Sequence, residues 1–356
     1  MIYMVSSLRF LAVIMIYSSC FFTNPFLYSV RNLTFGSNLT VNCTSLWPSD
    51  VTFSVSTTKY NNEDLSPTRR AVFDTSGIIL NGGGYAFNFP TMLSAVFIIN
   101  DSCSITLSNV LLRNFHSSHL SIGSQSSLIF GNNTTVAINQ DQILSTTYTF
   151  SGNTILKGES NILDLATGTL AVRSGGVLKV CNLVLKNLTS TSFSCQDNTA
   201  SFIFENCSLQ IPTLVNFQTG TFFVKGNVEI SGGGIFAYTG SLTNSIDSCA
   251  NLFVNNATLR HAPSNTNQQA FYFTNKTSKL ALINATLDIT TTGVRLTNGT
   301  LYIDGNTTIA SAATNTAQGI FLGDGSSSAN DLDIDIQPGA IINLASGYLT
   351  YDNKSG

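Results

Sequence analysis

Leu280 to Leu287 reads L-A-L-I-N-A-T-L, and Leu301 to Ile309 reads L-Y-I-D-G-N-T-T-I. In both, apolar residues stand two apart, an Asn follows, and another apolar residue comes three places after that Asn. Alternation with period two describes a strand with one buried face. Asn tolerates left-handed backbone and bonds to nearby main chain, so it marks a sharp bend. The next apolar residue opens a second strand. The extra residue before the Asn in the second copy reads as a one-residue bulge.

The same sentence recurs along the chain. The short form centres on Asn109, Asn182, Asn206, Asn256 and Asn284, and the long form on Asn38, Asn133, Asn153, Asn227 and Asn306. From Asn109 onward the steps are 24, 20, 29, 24, 21, 29, 28 and 22 residues. Asn38 lies 71 residues before Asn109, close to three steps, and Ile78 to Tyr85 (I-I-L-N-G-G-G-Y) is a candidate copy with Gly82 in the Asn place. A step of about 24 residues holds three short strands and three turns. One such unit cannot bury its own face, but stacked units can, with parallel strands about 4.8 Å apart. Helical periodicity is missing beyond the N-terminus, and Thr, Ser, Asn, Val, Ile and Phe favour strands and turns.

The expected fold is therefore all-β: a single-stranded right-handed parallel β-helix of about 11–13 coils. If the coils stack in register, Asn182, Asn206, Asn256 and Asn284 lie above one another in near-successive coils and bond amide to amide. Such a ladder would be largely buried. More than a dozen Asn-x-Ser/Thr sequons occur, among them Asn32, Asn42, Asn187, Asn275 and Asn353. Those on the repeat would then be by-products of a polar turn and closed to modification.

These residues resemble the right-handed parallel β-helix proteins of the pectin-lyase-like superfold. F-G-S-N, F-G-N-N and F-S-G-N at Phe35, Phe130 and Phe150 are similar to the F-x-x-N repeats of chlamydial polymorphic outer-membrane proteins. The companion glycine motif of that family is only echoed, in G-G-G-I at Gly232 to Ile235, and no segment reads as its C-terminal membrane barrel. The resemblance covers roughly residues 30–350 and implies a secreted or surface β-helix. It does not imply one activity, because this superfold hosts enzymes and non-enzymes alike.

Residues 1–29 read as a signal peptide: Arg9 is the one early charge, and an apolar run follows from Phe10 through Phe22. Acylation at Cys20 and an uncleaved anchor are the alternatives. No later run is long and apolar enough to span a membrane. Residues 30–356 are expected to form the β-helix domain. Within it, residues 44–72 carry Trp47, Pro48, Pro67 and a dense charge group, and read as an N-terminal cap or a protruding binding loop. Residues 189–199 and 261–269 read as polar connections.

Composition excludes some partners. Charged residues make up 10% of the chain and the formal net charge is −3, so no clustered Lys and Arg await a phosphate backbone and nucleic acid is not expected. Cys43, Cys103, Cys181, Cys195, Cys207 and Cys249 follow the signal. Their places in the repeat suit buried or half-buried thiols more than a disulfide ladder. With no Cys-x-x-Cys spacing, a zinc site is disfavoured.

The acidic row Asp331, Asp333 and Asp335 alternates with Leu332, Ile334 and Ile336, which are expected inside. Alternate residues of a strand stand about 6.8 Å apart, too far for three carboxylates to share one ion. His116 and His119, in H-S-S-H, read as a surface pair. Gly82 to Gly84 lacks the lysine and helix of a phosphate loop, and glycoside hydrolysis needs two carboxylates at a set separation. No catalytic constellation emerges and no cofactor is expected. The reading is a secreted, extracellular or outer-membrane-surface protein, non-catalytic, serving as adhesive or structural scaffold. Its partner would be a host-surface or glycan ligand. The alternative is a carbohydrate-active or glycan-binding β-helix.

Overall fold

The structure, a computed structural model, describes residues 76–81, 84, 86–89, 95, 97–266, 269–290, 292–311, 320–323, 332–345 and 349–351, with the strands Asn32–Thr34, Thr40–Cys43, Val51–Ser56 and Ala71–Phe73 in backbone outline. The signal segment 1–29, Asn38, Gly82, Gly83 and Asp331 lie outside the described residues. It is all-β: parallel strands stack into a β-solenoid of about 10 turns with about 23 residues per turn. The turn count falls short of the 11–13 coils expected; among the described residues of the early chain not every strand stacks in parallel. Val51–Ser56 runs antiparallel to both Thr40–Cys43 and Ala86–Asn88. Of the 44–72 segment, this strand and the start of Ala71–Phe73 are described; the rest is outside.

The chain divides into two compact units, residues 1–138 and 139–356. In the first, three parallel stacks each repeat about every 23–27 residues. Ile78–Asn81, Ser104–Ser108 and Ser127–Phe130 form one. Ala86–Asn88, Leu111–Arg113 and Thr134–Ala137 form the second, and Ala71–Phe73, Phe97–Ile99 and Leu120–Ile122 the third. Their inward residues meet in an aromatic cluster where Phe115 stands edge-on to both Phe89 and Phe130, at 5.3 and 5.9 Å.

The second unit repeats a tier of three strands, and the tiers define three faces. On the first face Val177–Cys181 pairs with Ser201–Glu205, and that strand with Thr221–Lys225. The second face stacks Asn227–Ser231, Asn251–Asn255, Lys279–Ile283, Thr300–Asp304 and Asp333–Ile336 in unbroken parallel register. The third stacks Leu214–Phe217, Ile235–Tyr238, Thr258–His261, Thr286–Ile289, Asn306–Ser311 and Ile341–Leu344.

Alternation places every second residue inside, so like residues stack on like. Leu178, Phe202 and Phe222 share one register and are all buried. Phe217 wedges between Phe202 and Phe222, with ring centroids 5.9 and 5.3 Å away and steep interplanar angles. Such edge-on pairs add about 0.5–1.5 kcal/mol beyond their burial. Two segments read as polar connections contribute to this interior: Phe193–Cys195 is a strand with Phe193 buried, and His261 ends the strand Thr258–His261 at 0% exposure. Ile334 and Ile336 share register with inward Leu301 and Ile303, yet are 41% and 52% exposed, because no further described strand lies over them.

Candidate functional site

The repeated Asn lies where the chain turns from one face to the next. Asn109, Asn133, Asn182, Asn206, Asn256 and Asn284 all have positive φ, between 47° and 55°. In the long form with Gly before Asn, the glycine takes that conformation instead: Gly152, Gly226 and Gly305 have φ of 71°, 58° and 59°. Asn153, Asn227 and Asn306 then begin the following strand.

The single ladder does not exist. Asn182 and Asn206 turn the chain from the first face to the second, with Gly226 next above them. Asn256 and Asn284 turn it from the second face to the third, with Gly305 next above. Asn109 and Asn133 occupy a third kind of corner in the first unit, between Ser104–Ser108 and Leu111–Arg113 and between Ser127–Phe130 and Thr134–Ala137. The reason is local: any sharp corner after an alternating strand demands left-handed backbone, whichever faces it joins.

Two corners of the second unit build the same device. Asn206 Oδ1 accepts the Asn227 backbone N–H at 3.0 Å, and Asn227 Oδ1 accepts from Asn251 Nδ2 at 2.7 Å. Asn284 Oδ1 accepts the Asn306 N–H at 2.9 Å, and Asn306 Oδ1 accepts from Asn343 Nδ2 at 2.7 Å. In each, a side-chain oxygen of one coil holds the main chain of the next. A Cβ on Gly226 would strike Asn206 Oδ1, and one on Gly305 would strike Asn284 Oδ1, so glycine is required twice over. The extra residue read as a bulge, Gly305 and its counterpart Gly226 in K-G-N, is the left-handed corner itself; Asn251 and Asn343 were missed in the sequence, where no repeat motif marks them.

The side chains of Asn133, Asn182, Asn206, Asn227, Asn256, Asn284 and Asn306 are exposed, which overturns the expected burial. Corners of a narrow coil point outward, and the inward places go to the residues between them. Asn182, Asn206 and Asn227 line an open groove of about 360 Å³ together with Glu229 and Phe253. A second groove, about 350 Å³, is lined by polar residue types, among them Asp197, Asn198, Gln218 and Thr239. Hydrogen bonds from Ser174 and Thr199 hold the Asp197 carboxyl below its usual range.

The remaining candidates have structural employment. His116 Nδ1 accepts the Ser118 N–H at 3.1 Å, and His119 Nδ1 accepts the His116 N–H at 3.1 Å, a reciprocal cap on one 3-10 turn. His119 is therefore not on the surface; it is buried and stacked on Phe89 at 5.0 Å. Asp333 and Asp335 face outward opposite Thr300 and Tyr302, and Asp335 accepts from Gln337. Cys103, Cys181 and Cys207 are buried thiols, Cys195 is half-buried and Cys249 exposed. Burial pushes Cys207 up to about 11 and Cys195 up to about 12, which keeps both protonated and unreactive near neutrality. Cross-coil ion pairs join Lys179 to Glu205, Lys225 to Asp247 and Arg260 to Asp288 at 2.7, 3.6 and 2.7 Å.

Among the described residues no helix is long and apolar enough to cross a membrane. No family model, curated protein or solved structure matches the chain.

Proposed function

We propose that the chain is a secreted or surface-exposed β-helix that serves as an adhesive or structural scaffold, without chemistry of its own. The observation that supports this is the use of its polar side chains. Asn206 and Asn284 accept from the main chain of the next coil, as do Asp101 from Ser124 N–H and Asp141 from Ile162 N–H, and Asn244 accepts from Phe222 N–H of the coil before it. Groups engaged in this way hold neighbouring coils together within each unit. Kinship with the pectin-lyase-like superfold, and within it with the chlamydial outer-membrane repeat proteins, belongs to the same proposal and rests on the F-x-x-N stretches at Phe35, Phe130 and Phe150. Export by the 1–29 signal is also part of it. The test is protease shaving of intact native cells. Release of peptides from the 97–311 body is expected; protection until the cells are lysed would contradict it.

A second reading, glycan binding, is favoured by the groove over Asn182, Asn206 and Asn227. There an aromatic ring, Phe253, lies beside amides and the Glu229 carboxylate, groups that stack on and hydrogen-bond to sugars. Calorimetry with neutral and acidic polysaccharides, on the native chain and on Phe253→Ala, tests it. Equal heats for the two proteins would dismiss it.

A further inference from the structure

Five corner asparagines open an Asn-x-Ser/Thr triplet: Asn133, Asn206, Asn256, Asn284 and Asn306. In each the middle residue is buried: Thr134 and Thr307 at 0%, Ala285 at 3%, Cys207 at 4% and Ala257 at 5%. The hydroxyl residue two places on is half-exposed on the outer side of its strand. The corner thus delivers amide and hydroxyl to the same solvent side, and the Asn side chains themselves are exposed.

The bonding tells which amide atom is which. At Asn206 and Asn284 the atom facing the next coil accepts a backbone N–H, so it is the oxygen, and Nδ2 is the other atom. At Asn306 the oxygen accepts from Asn343, with the same consequence. Two other triplets differ. Asn187 Nδ2 donates to Asp164 and Asn275 Nδ2 donates to Ser248 Oγ, both at 2.7 Å, and both residues are half-buried.

We propose that Asn206, Asn284 and Asn306 are acceptors of N-linked oligosaccharide. In the transfer, Nδ2 bonds to the anomeric carbon of a polyprenyl-diphosphate oligosaccharide. The anomeric carbon–oxygen bond breaks, the diphosphate leaves with the electron pair, and one Nδ2 proton passes to a base of the transferase. The fold accommodates the product because the corner needs only the Asn oxygen and its left-handed or strand-starting backbone. The sugar also answers a deficit of hydration: charged residues are 10% of the chain against about 25% in an ordinary soluble domain, and mean hydropathy is +0.21. The inference rests on export and goes beyond it.

The test uses the full chain purified from its native source. Amidase release of glycans in heavy-oxygen water should shift the protein to lower mass and leave labelled aspartate at Asn206, Asn284 and Asn306, with none at Asn187 or Asn275. Thr286→Val, expressed in the same cells, should lose the mass of one glycan while keeping Asn284 in its corner; Thr286→Ser should keep it. No mass change on release, or label confined to Asn187 and Asn275, would overturn the inference. N-terminal sequencing of the same sample separates the two claims. A processed N-terminus without carbohydrate overturns glycosylation alone, and an intact Met1 without carbohydrate overturns export as well.

Discussion

The inside and the corners of the second unit are both built by stacking like on like, but they tolerate change differently. Inside, Leu178, Phe202 and Phe222 follow one another in one register: the site asks for apolar volume and accepts more than one residue that supplies it. At the corners, Asn182, Asn206 and Gly226 also follow one another, and there the site asks for a backbone conformation. It accepts Asn or Gly, and the choice on one coil constrains the next, because Asn206 Oδ1 occupies the space a Cβ on Gly226 would need. Interior positions are independent within a class; corner positions are coupled between coils.

The largest expected effect is inside. Phe222→Ala opens a cavity beside Phe217 and Phe236, whose rings lie 5.3 and 5.4 Å away, and should cost about 3–5 kcal/mol in urea denaturation. Phe222→Leu keeps most of the volume and should cost less than about 1.5 kcal/mol. Equal costs for the two would mean that the interior is as particular as the corners.

The next effect is also interior. His261 stands in the inward row between Tyr238 and Ile289, its ring 5.7 Å from that of Phe271. Neither ring nitrogen meets a partner at hydrogen-bonding geometry. Burial pushes its pKa from 6.5 down to about 4, partly offset by nearby main chain at Thr292 and at His261 itself. The folded state therefore resists protonation that the unfolded chain accepts. Stability should be full above about pH 6.5 and fall as pH drops toward 4, by about 3 kcal/mol in all. His261→Phe should flatten that decline. An unchanged pH profile would show that another group carries it.

A corner effect comes third. Gly305→Ala forces left-handed backbone on a residue with a Cβ, at about 1–2 kcal/mol, and adds the collision with Asn284 Oδ1. Its urea midpoint should fall by more than that of Gly339→Ala, where φ is also positive, at 84°, but open space surrounds the Cβ. Smallest is Thr286→Val on the outer side of the third face, expected within about 0.5 kcal/mol. A larger loss would mean that the outward row is as constrained as the corner beside it.

This contrast also explains what could be read from sequence. Period-two alternation holds in N-L-F-V-N, where Leu252 and Val254 are buried and their neighbours half-exposed; in K-L-A-L-I the small Ala281 is buried along with Leu280 and Leu282, and Ile334 and Ile336 keep the inward register without being covered. The bend after such a strand was equally legible. Which corner a bend belongs to was not, since left-handed backbone is a local demand and carries no label for the faces it joins. Hence Asn206 and Asn256 read as one position although they sit at different corners. Exposure of the corner amides was hidden for a related reason: the motif fixes the direction of its neighbours Cys207 and Ala257, which are buried, and says nothing direct about its own. His261 was lost in a polar stretch because one buried imidazole among His-Ala-Pro-Ser has no periodicity to mark it.

The central claim is that corners couple coil to coil through the Asn oxygen. A double-mutant cycle at Asn206 and Gly226 measures it. Asn206→Gly keeps the left-handed corner and removes the oxygen, at about 1 kcal/mol for the lost bond to Asn227. Gly226→Ala alone bears both backbone strain and collision. In the double mutant the collision is gone, so the combined loss should fall short of the sum of the single losses by about 1–2 kcal/mol. Strict additivity, with the two losses summing within error, would contradict the coupled corner and leave Asn and Gly there as independent choices.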